Sequence, residues 1–174
     1  MKTLHILRHA KSEAGTGGDH ERKLAERGIA ACALIGHHLG ENEVRPDHVV
    51  CSTAARARET IAHVAAAASW NDGEPAIEFA EGLYMASGAE LLAIAWRTVE
   101  TCDSLMLVGH NPGMEEAARM LVSDGAPEAL ARFEGKYSAG AIATINFDVE
   151  LWREIGVDLG YLSGFVRPRM LAKP

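Results

Sequence analysis

Short apolar runs alternate along this chain with longer stretches in which apolar residues recur every three or four positions. Thr3 to Leu7 (TLHIL) reads as a first strand. Leu24, Gly28, Ala31, Ile35 and Leu39 then fall on one face of a helix. His48 to Cys51 (HVVC) forms a second strand, ended by Ser52 and Thr53, residue types suited to capping the next helix. Ile61, Val64, Ala65 and Ala68 give that helix its inner face, and Ala76 to Phe79 makes a weaker third strand. Leu92, Ala95, Trp96 and Val99 mark a further helix. Ser104 to Val108 (SLMLV) is too uniformly apolar to have a wet face, so it belongs inside a covered sheet. Asn111 and Pro112 resemble an N-cap and a first helical residue, followed by Met114, Ala117, Ala118 and Leu121 turned inward. Ala141 to Phe147 and Tyr161 to Val166 are two more strand-like runs in the tail. Met85, Met106, Met114 and Met120 read as core filler.

Strands alternating with helices predict a mostly parallel sheet covered on both faces. The expectation is one three-layer α/β/α domain over residues 1–174, with an antiparallel edge strand from the tail. The Gly-rich loop from Glu13 to Arg22 follows the first strand directly, the place for a mobile lid or substrate loop. At 174 residues the chain is long enough for a substantial core without disulfides or metal staples. Its formal net charge of −7 argues against nucleic acid as a partner, while leaving room for a locally basic cleft. Cys32, Cys51 and Cys102 show neither zinc-type nor redox-type spacing and read as buried thiols in a reducing compartment. The opening MKTLHILRHAKSE lacks the apolar run of a signal peptide, and nothing later approaches a membrane span. The expected location is therefore the cytosol.

Ligands of open α/β sheets bind outside the carboxyl ends of the strands. Three such ends carry polar, mostly cationic residues: Arg8-His9-Ala10-Lys11-Ser12, Ser52 to Arg58, and Gly109-His110-Asn111-Pro112-Gly113. Two histidines and at least two arginines thus share one rim of an acidic chain. That combination suits phosphoryl transfer. A guanidinium grips phosphate oxygens bidentately and keeps its charge, and a neutral imidazole is a competent nucleophile toward phosphorus. A second imidazole, if protonated, can donate to the charge on the transferring group, and helix N-termini add backbone donors. Arg56 and Arg58 stand two positions apart, about 200° around a helix, so only one of them can face the site.

The same residues carry a resemblance. Arg8-His9-Ala10 resembles the Arg-His-Gly signature of the histidine phosphatase superfamily, which contains the phosphoglycerate mutases. Ser52 to Thr60 (STAARARET) is similar to that family's Ser-Pro-x-x-Arg-Ala-x-Gln-Thr segment, and Val108-Gly109-His110-Asn111-Pro112 to its second histidine motif. The segments around Asp19–Leu24, Leu83–Ser87, Lys136–Ala141 and Gly164–Arg169 look most like the short SixA-type phosphohistidine phosphatases. The likeness covers nearly the whole chain. It departs from the pattern at Ala10, Thr53 and Glu59, where the family has glycine, proline and glutamine.

This resemblance implies His9 as the nucleophile, Arg8 and Arg56 as phosphate clamps, and His110 on the phosphoryl oxygens. It places Asp19 and Arg22 at the entrance; Ser12, Ser52 and Asn111, on the three strand-end segments, are further substrate-binding candidates. Glu81 lies roughly where larger members keep an acidic proton donor; the alternative is a solvated loop carboxylate. Lys11 faces either phosphate or solvent. His5, His20, His37, His38, His48 and His63 carry no ligand-like spacing. The implied activity is hydrolysis of phosphohistidine on a protein partner, or of a small phosphomonoester, with no cofactor and no metal. A mutase would need an enclosing cap that this chain is too short to supply. A non-catalytic phosphohistidine- or phosphate-binding module would need the arginines but not a nucleophile. Metal-assisted hydrolysis through His9 and His110 lacks a carboxylate or cysteine in either motif. Oligomeric state leaves no mark in the sequence.

Overall fold

A computed structural model describes residues 1–15, 17–70 and 74–173. The chain runs β1 (Lys2–Arg8), α1 (Glu26–Glu41), β2 (His48–Ser52), α2 (Ala55–Ala67), β3 (Ala76–Ala80), α3 (Gly88–Trp96), β4 (Ser104–Gly109), α4 (Gly113–Leu121), β5 (Val122–Gly125), α5 (Pro127–Phe133), β6 (Ile142–Phe147), β7 (Gly160–Val166) and α6 (Pro168–Leu171). Short 3-10 turns at Asp19–Glu21, Glu81–Leu83 and Trp152–Glu154 punctuate it. Thr16, within the expected lid segment, lies outside the described residues.

The seven strands form one mixed sheet in the order β3-β2-β4-β1-β6-β7-β5. The strands β1, β2, β3 and β4 run parallel, as the alternating pattern predicts. The antiparallel tail strand is not at an edge. β6 pairs antiparallel with β1 on one side and with β7 on the other, in the middle of the sheet. Its apolar run is buried at most positions, because its side chains enter the cores on both faces of the sheet. The edge on that side is β5, a four-residue strand with polar Ser123 and Asp124 exposed, as suits an unpaired edge.

Residues of the central strands alternate between two cores. Leu4, Ile6, Leu105 and Leu107 pack with α3, α4 and Trp152, while Leu7, Met106 and Val108 pack with the inner faces of α1 and α2. His5 sits among these strands, 3% exposed, bonded through Nδ1 to Thr144 Oγ1 (3.0 Å) and through Nε2 to Ser104 Oγ (3.2 Å). Burial pushes its pKa down to about 4, so it is a neutral strand-to-strand connector.

Several expected local features shift. α2 is capped at Ala54, not at Ser52 or Thr53, because Ser52 is the last residue of β2 and its hydroxyl is used elsewhere. Pro112 takes the N-cap position of α4, one residue later than expected, although Asn111 Oδ1 still accepts from Glu115 N (3.3 Å). In α3 the buried face is Leu91, Leu92 and Ala95, and a Ser87–Glu90 capping box fixes its start. Trp96 and Val99 are exposed: the helix ends at Trp96, whose indole N–H donates to the Ile155 carbonyl (2.9 Å). Met85 is not core filler either. It is exposed, with φ 54°, at the mouth of the cleft described next.

Register brings the chemistry together. Arg8 pairs with Gly109 across the parallel β1–β4 ladder, so the next residue of each strand, His9 and His110, emerges beside the other. β2 flanks β4 with Cys51 opposite Val108, which brings Ser52 to the same end.

Candidate active site

At these strand ends lies a cleft of about 690 Å³ lined by Arg8, His9, Lys11, Ser12, Glu13, Asp19, Arg22, Arg27, Arg56, Met85, His110 and Asn111, with Ala14, Ala25 and Ala139. Five cations face two carboxylates there, in a chain whose net charge is −7. A cavity of similar size, about 680 Å³, runs under β2 and β3 past Asp47, His48, Glu78 and Arg97, and holds none of the predicted site residues. The two differ in the donors that they offer. Among the described residues the buried side-chain nitrogens without a protein hydrogen-bond partner are Arg8 Nε, Arg22 Nε, His110 Nδ1 and Arg167 Nε, and three of these residues line the first cleft. Buried donors without acceptors are costly unless a ligand satisfies them, which marks an anion site.

His9 is 9% exposed, and its Nδ1 lies 2.7 Å from the Ala10 carbonyl. A carbonyl only accepts, so Nδ1 carries the proton and Nε2 keeps its lone pair. The Nε–H of Arg56 donates to that Nε2 at 3.3 Å. Burial first, and then Arg56, Arg8 and Arg22, lower the His9 pKa to about 4. A neutral imidazole with Nε2 unprotonated is the form that attacks phosphorus, and here that lone pair must first give up its bond from Arg56. The backbone is fastened around it. His9 N–H donates to Gly109 O (2.9 Å), Ala10 N–H to Thr60 Oγ1 (3.0 Å), and Gly140 N–H to the carbonyls of Arg8 and His9 (both 3.1 Å).

His110 stands with its ring centroid 5.1 Å from that of His9. Its Nε2 is 2.7 Å from Ser52 Oγ, which itself accepts from Ala54 N–H (3.3 Å). A serine hydroxyl has one donor and two acceptor lone pairs and so serves either tautomer of His110; with Ser52 donating to Nε2, the ring proton sits on Nδ1, which has no protein partner. Burial, followed by His9 and Arg56, lowers its pKa to about 3, so its ring is neutral. Ser52 is buried and holds His110 from behind rather than lining the cleft.

Arg56 is 2% exposed in the first turn of α2. Arg58 is exposed, its guanidinium 4.5 Å above the Phe79 ring, away from the cleft. Arg8 donates through Nη1 to the Tyr137 carbonyl (2.8 Å), which also accepts from Asn111 Nδ2 (3.2 Å). Asp19 receives Arg56 Nη2 (3.0 Å) and lies 3.2 Å from Arg22 Nε, an ion pair without hydrogen-bond geometry. The hydrogen bond from Tyr84, and then Arg56 and Arg22, hold its carboxyl below the usual carboxylate range. Lys11 is exposed on the rim, and Ser12 pairs with Leu24 in an isolated bridge. Glu81 is exposed on the 3-10 turn after β3 and does not line the cleft.

Sequence reasoning passed over four contributors. Tyr84 bonds Asp19 and packs edge-on against His110 (5.3 Å), while His20 bonds Thr53 Oγ1 through Nε2 (2.9 Å). Thr60 ties α2 to Ala10, and Glu59 accepts from Leu24 N–H (2.7 Å). Their partners are 33 to 65 residues away in the chain, so no local pattern announces them. Among the described residues no group of three His, Cys, Asp or Glu is gathered that could hold a metal. No helix among them is long and apolar enough to cross a membrane.

The family model of the Histidine phosphatase superfamily (branch 1) matches residues 4–84. An uncharacterized protein of Mycobacterium tuberculosis is 36% identical over 166 residues, covering 94% of this chain and 100% of its own length. A counterpart in Mycobacterium leprae is 30% identical over 169 residues, with 94% and 100% coverage. Among solved structures, the provisionally assigned phosphohistidine phosphatase SixA of Agrobacterium tumefaciens superposes with a TM-score of 0.77 at 27% identity, over 96% of this chain and 98% of its own. The corresponding Nakamurella multipartitia protein gives a TM-score of 0.77 at 25% identity over 96% of each chain. With its two histidines and two arginines gathered at the ends of β1, α2 and β4, the chain belongs to the histidine phosphatase superfamily and has SixA-type architecture.

Proposed function

We propose that this protein is a metal-independent phosphatase that hydrolyses phosphohistidine on a protein partner through a covalent phosphohistidine at His9. One observation carries the reading: His9, its proton held on Nδ1 by the Ala10 carbonyl, lines one cleft with Arg56, with Arg8, whose Nε has no protein partner, and with His110, whose Nδ1 has none either. Nε2 attacks phosphorus in line while Arg8, Arg56 and His110 take the charge on the oxygens, and the bond from phosphorus to the leaving group breaks. An imidazole leaving group accepts its electron pair with its proton already in place. For an alkoxide the reading assigns the proton to Glu81, whose turn ends at Tyr84 beside His110, or to solvent. Water then attacks phosphorus, the P–N bond returns its electrons to Nε2, and inorganic phosphate leaves.

Lys11, Ser12, Arg22 and Asn111 would guide the substrate at the entrance, with Ser52 supporting His110. A cleft whose rim includes the exposed Lys11, Glu13 and Met85 suits a protruding side chain, and the reading places the reaction in the cytosol. A small phosphomonoester is the second reading, favoured by the five cations, which take any phosphate. Turnover of a phosphohistidine protein beside a panel of alkyl phosphomonoesters, before and after prolonged chelation, tests the proposal. A kcat/KM at least tenfold higher on phosphohistidine, unchanged by the chelator, is expected. Preference for an alkyl ester, or loss restored by added zinc or manganese, would contradict it.

A further inference from the structure

Arg56 is already engaged by the protein along the edges with which it would grip phosphate. Its Nη1 donates to the Asp19 carbonyl (2.6 Å), Nη2 to Asp19 Oδ2 (3.0 Å), and Nε to His9 Nε2 (3.3 Å). The Asp19 carboxylate is held in that position. Tyr84 donates its hydroxyl to the same Oδ2, and Arg22 Nε lies 3.2 Å from Oδ1. Tyr84 is braced in turn by edge contacts with His20 (4.9 Å) and His110 (5.3 Å), and the Arg56 guanidinium lies 6.0 Å over its ring. His20 bonds Thr53, so the turn Asp19–Glu21 is fastened to the start of α2 at a second point.

We infer that Asp19, held in place by Tyr84, is a rival anion for Arg56 that weakens the site's grip on inorganic phosphate and so favours substrates with contacts beyond the phosphoryl group. The inference rests on the reading of Arg56 as a phosphate clamp. A phosphate dianion gripped by Arg56 comes within a few ångströms of the Asp19 carboxylate. The Asp19 side chain is 51% exposed, so solvent screens part of that repulsion and leaves the rest to act at short range. Either the turn moves off, giving up its bonds to Arg56 and Tyr84, or the phosphate shares the guanidinium. Both lower the affinity for an anion that offers nothing else, and the product is such an anion. A larger substrate recovers the loss through the rim, where Lys11 and Arg27 line the same cleft. A plain scaffold makes the opposite forecast: if Asp19 and Tyr84 only orient Arg56, removing them weakens anion binding.

The sign is therefore the test. The inhibition constant for inorganic phosphate is measured on the full chain for the wild type, Asp19→Asn, Tyr84→Phe and Arg56→Ala, with thermal melting to verify folding. Asp19→Asn should bind phosphate about tenfold more tightly. Tyr84→Phe, which keeps the charge but releases the carboxylate, should shift it in the same direction by less. Weaker or unchanged phosphate binding in Asp19→Asn, with Arg56 still required, overturns the rival and leaves the clamp standing. Equal phosphate binding by wild type and Arg56→Ala overturns the clamp itself, and the rival with it.

Discussion

Arg56 and Arg58 show how one residue's setting decides its chemistry. Both stand in the first turn of α2, yet one is buried against His9 and Asp19 while the other covers Phe79. Arg56→Ala should lower kcat/KM by roughly 10²–10³-fold, the usual cost of deleting a donor to transition-state charge. Arg58→Ala should stay within about threefold, since surface changes seldom reach the site. Equal losses would place the clamp elsewhere. Glu81 poses a sharper question, because it is exposed on a turn beside Tyr84 rather than in the cleft lining. Acting as the acid, its replacement in Glu81→Gln should slow alkyl phosphate hydrolysis by about 10²–10⁴-fold and phosphohistidine hydrolysis only slightly. A uniform effect on both substrates would rule out proton donation. Helical geometry lets only one of the pair face the strand ends, and it was the motif resemblance that pointed to Arg56. Tyr84 and His20 were not legible in the sequence, because their roles depend on Asp19 and Thr53 arriving from other loops.

At the scale of elements, the site depends on how closely α1 approaches the loop after β1. A Cβ at Gly28 would lie 2.1 Å from the Lys11 carbonyl, a backbone atom that cannot yield without moving the loop that follows His9. Gly28→Ala should therefore destabilise the fold by about 1–3 kcal/mol in urea unfolding and lower activity with it. A neutral result would show that α1 can slide. Strand β1 carries a pH prediction through His5. Its folded pKa of about 4 lies below the ordinary 6.5, so the unfolded chain takes the proton first. Stability is full above pH 6.5, falls as the pH drops toward 4 by up to about 1.4 kcal/mol per unit, and levels below that. Urea midpoints for wild type and His5→Gln between pH 7 and 5 should converge as the pH falls; parallel curves would mean that His5 titrates normally. The parallel strands were legible from their continuous apolar runs. The central antiparallel place of β6 was not, because an apolar run reveals burial on both faces but not direction. β5 was missed because four residues with polar Ser123 and Asp124 carry no strand pattern.

Across the whole molecule, the mixed sheet gathers residues more than a hundred positions apart into one cleft. His9, Arg56, His110 and Asn111 converge there with Tyr137 behind Arg8. A cationic cleft in a chain of net charge −7 draws anions to one place and repels them elsewhere. The strand-end rule foresaw this concentration, since each of the three motifs follows a strand that the hydrophobic pattern marks. What the pattern could not supply is the protonation state, because it depends on burial and on partners such as the Ala10 carbonyl and Ser52. Those partners leave the lone pair on His9 Nε2, and that atom is the centre of the account. Rapid mixing of the enzyme with substrate, followed by quenching at alkaline pH and peptide mass spectrometry, tests it most directly. The account predicts one added phosphoryl group on His9, stable to base and lost in acid, and absent from His9→Ala along with turnover. A phosphoryl group on another residue, or full activity in His9→Ala, would contradict it.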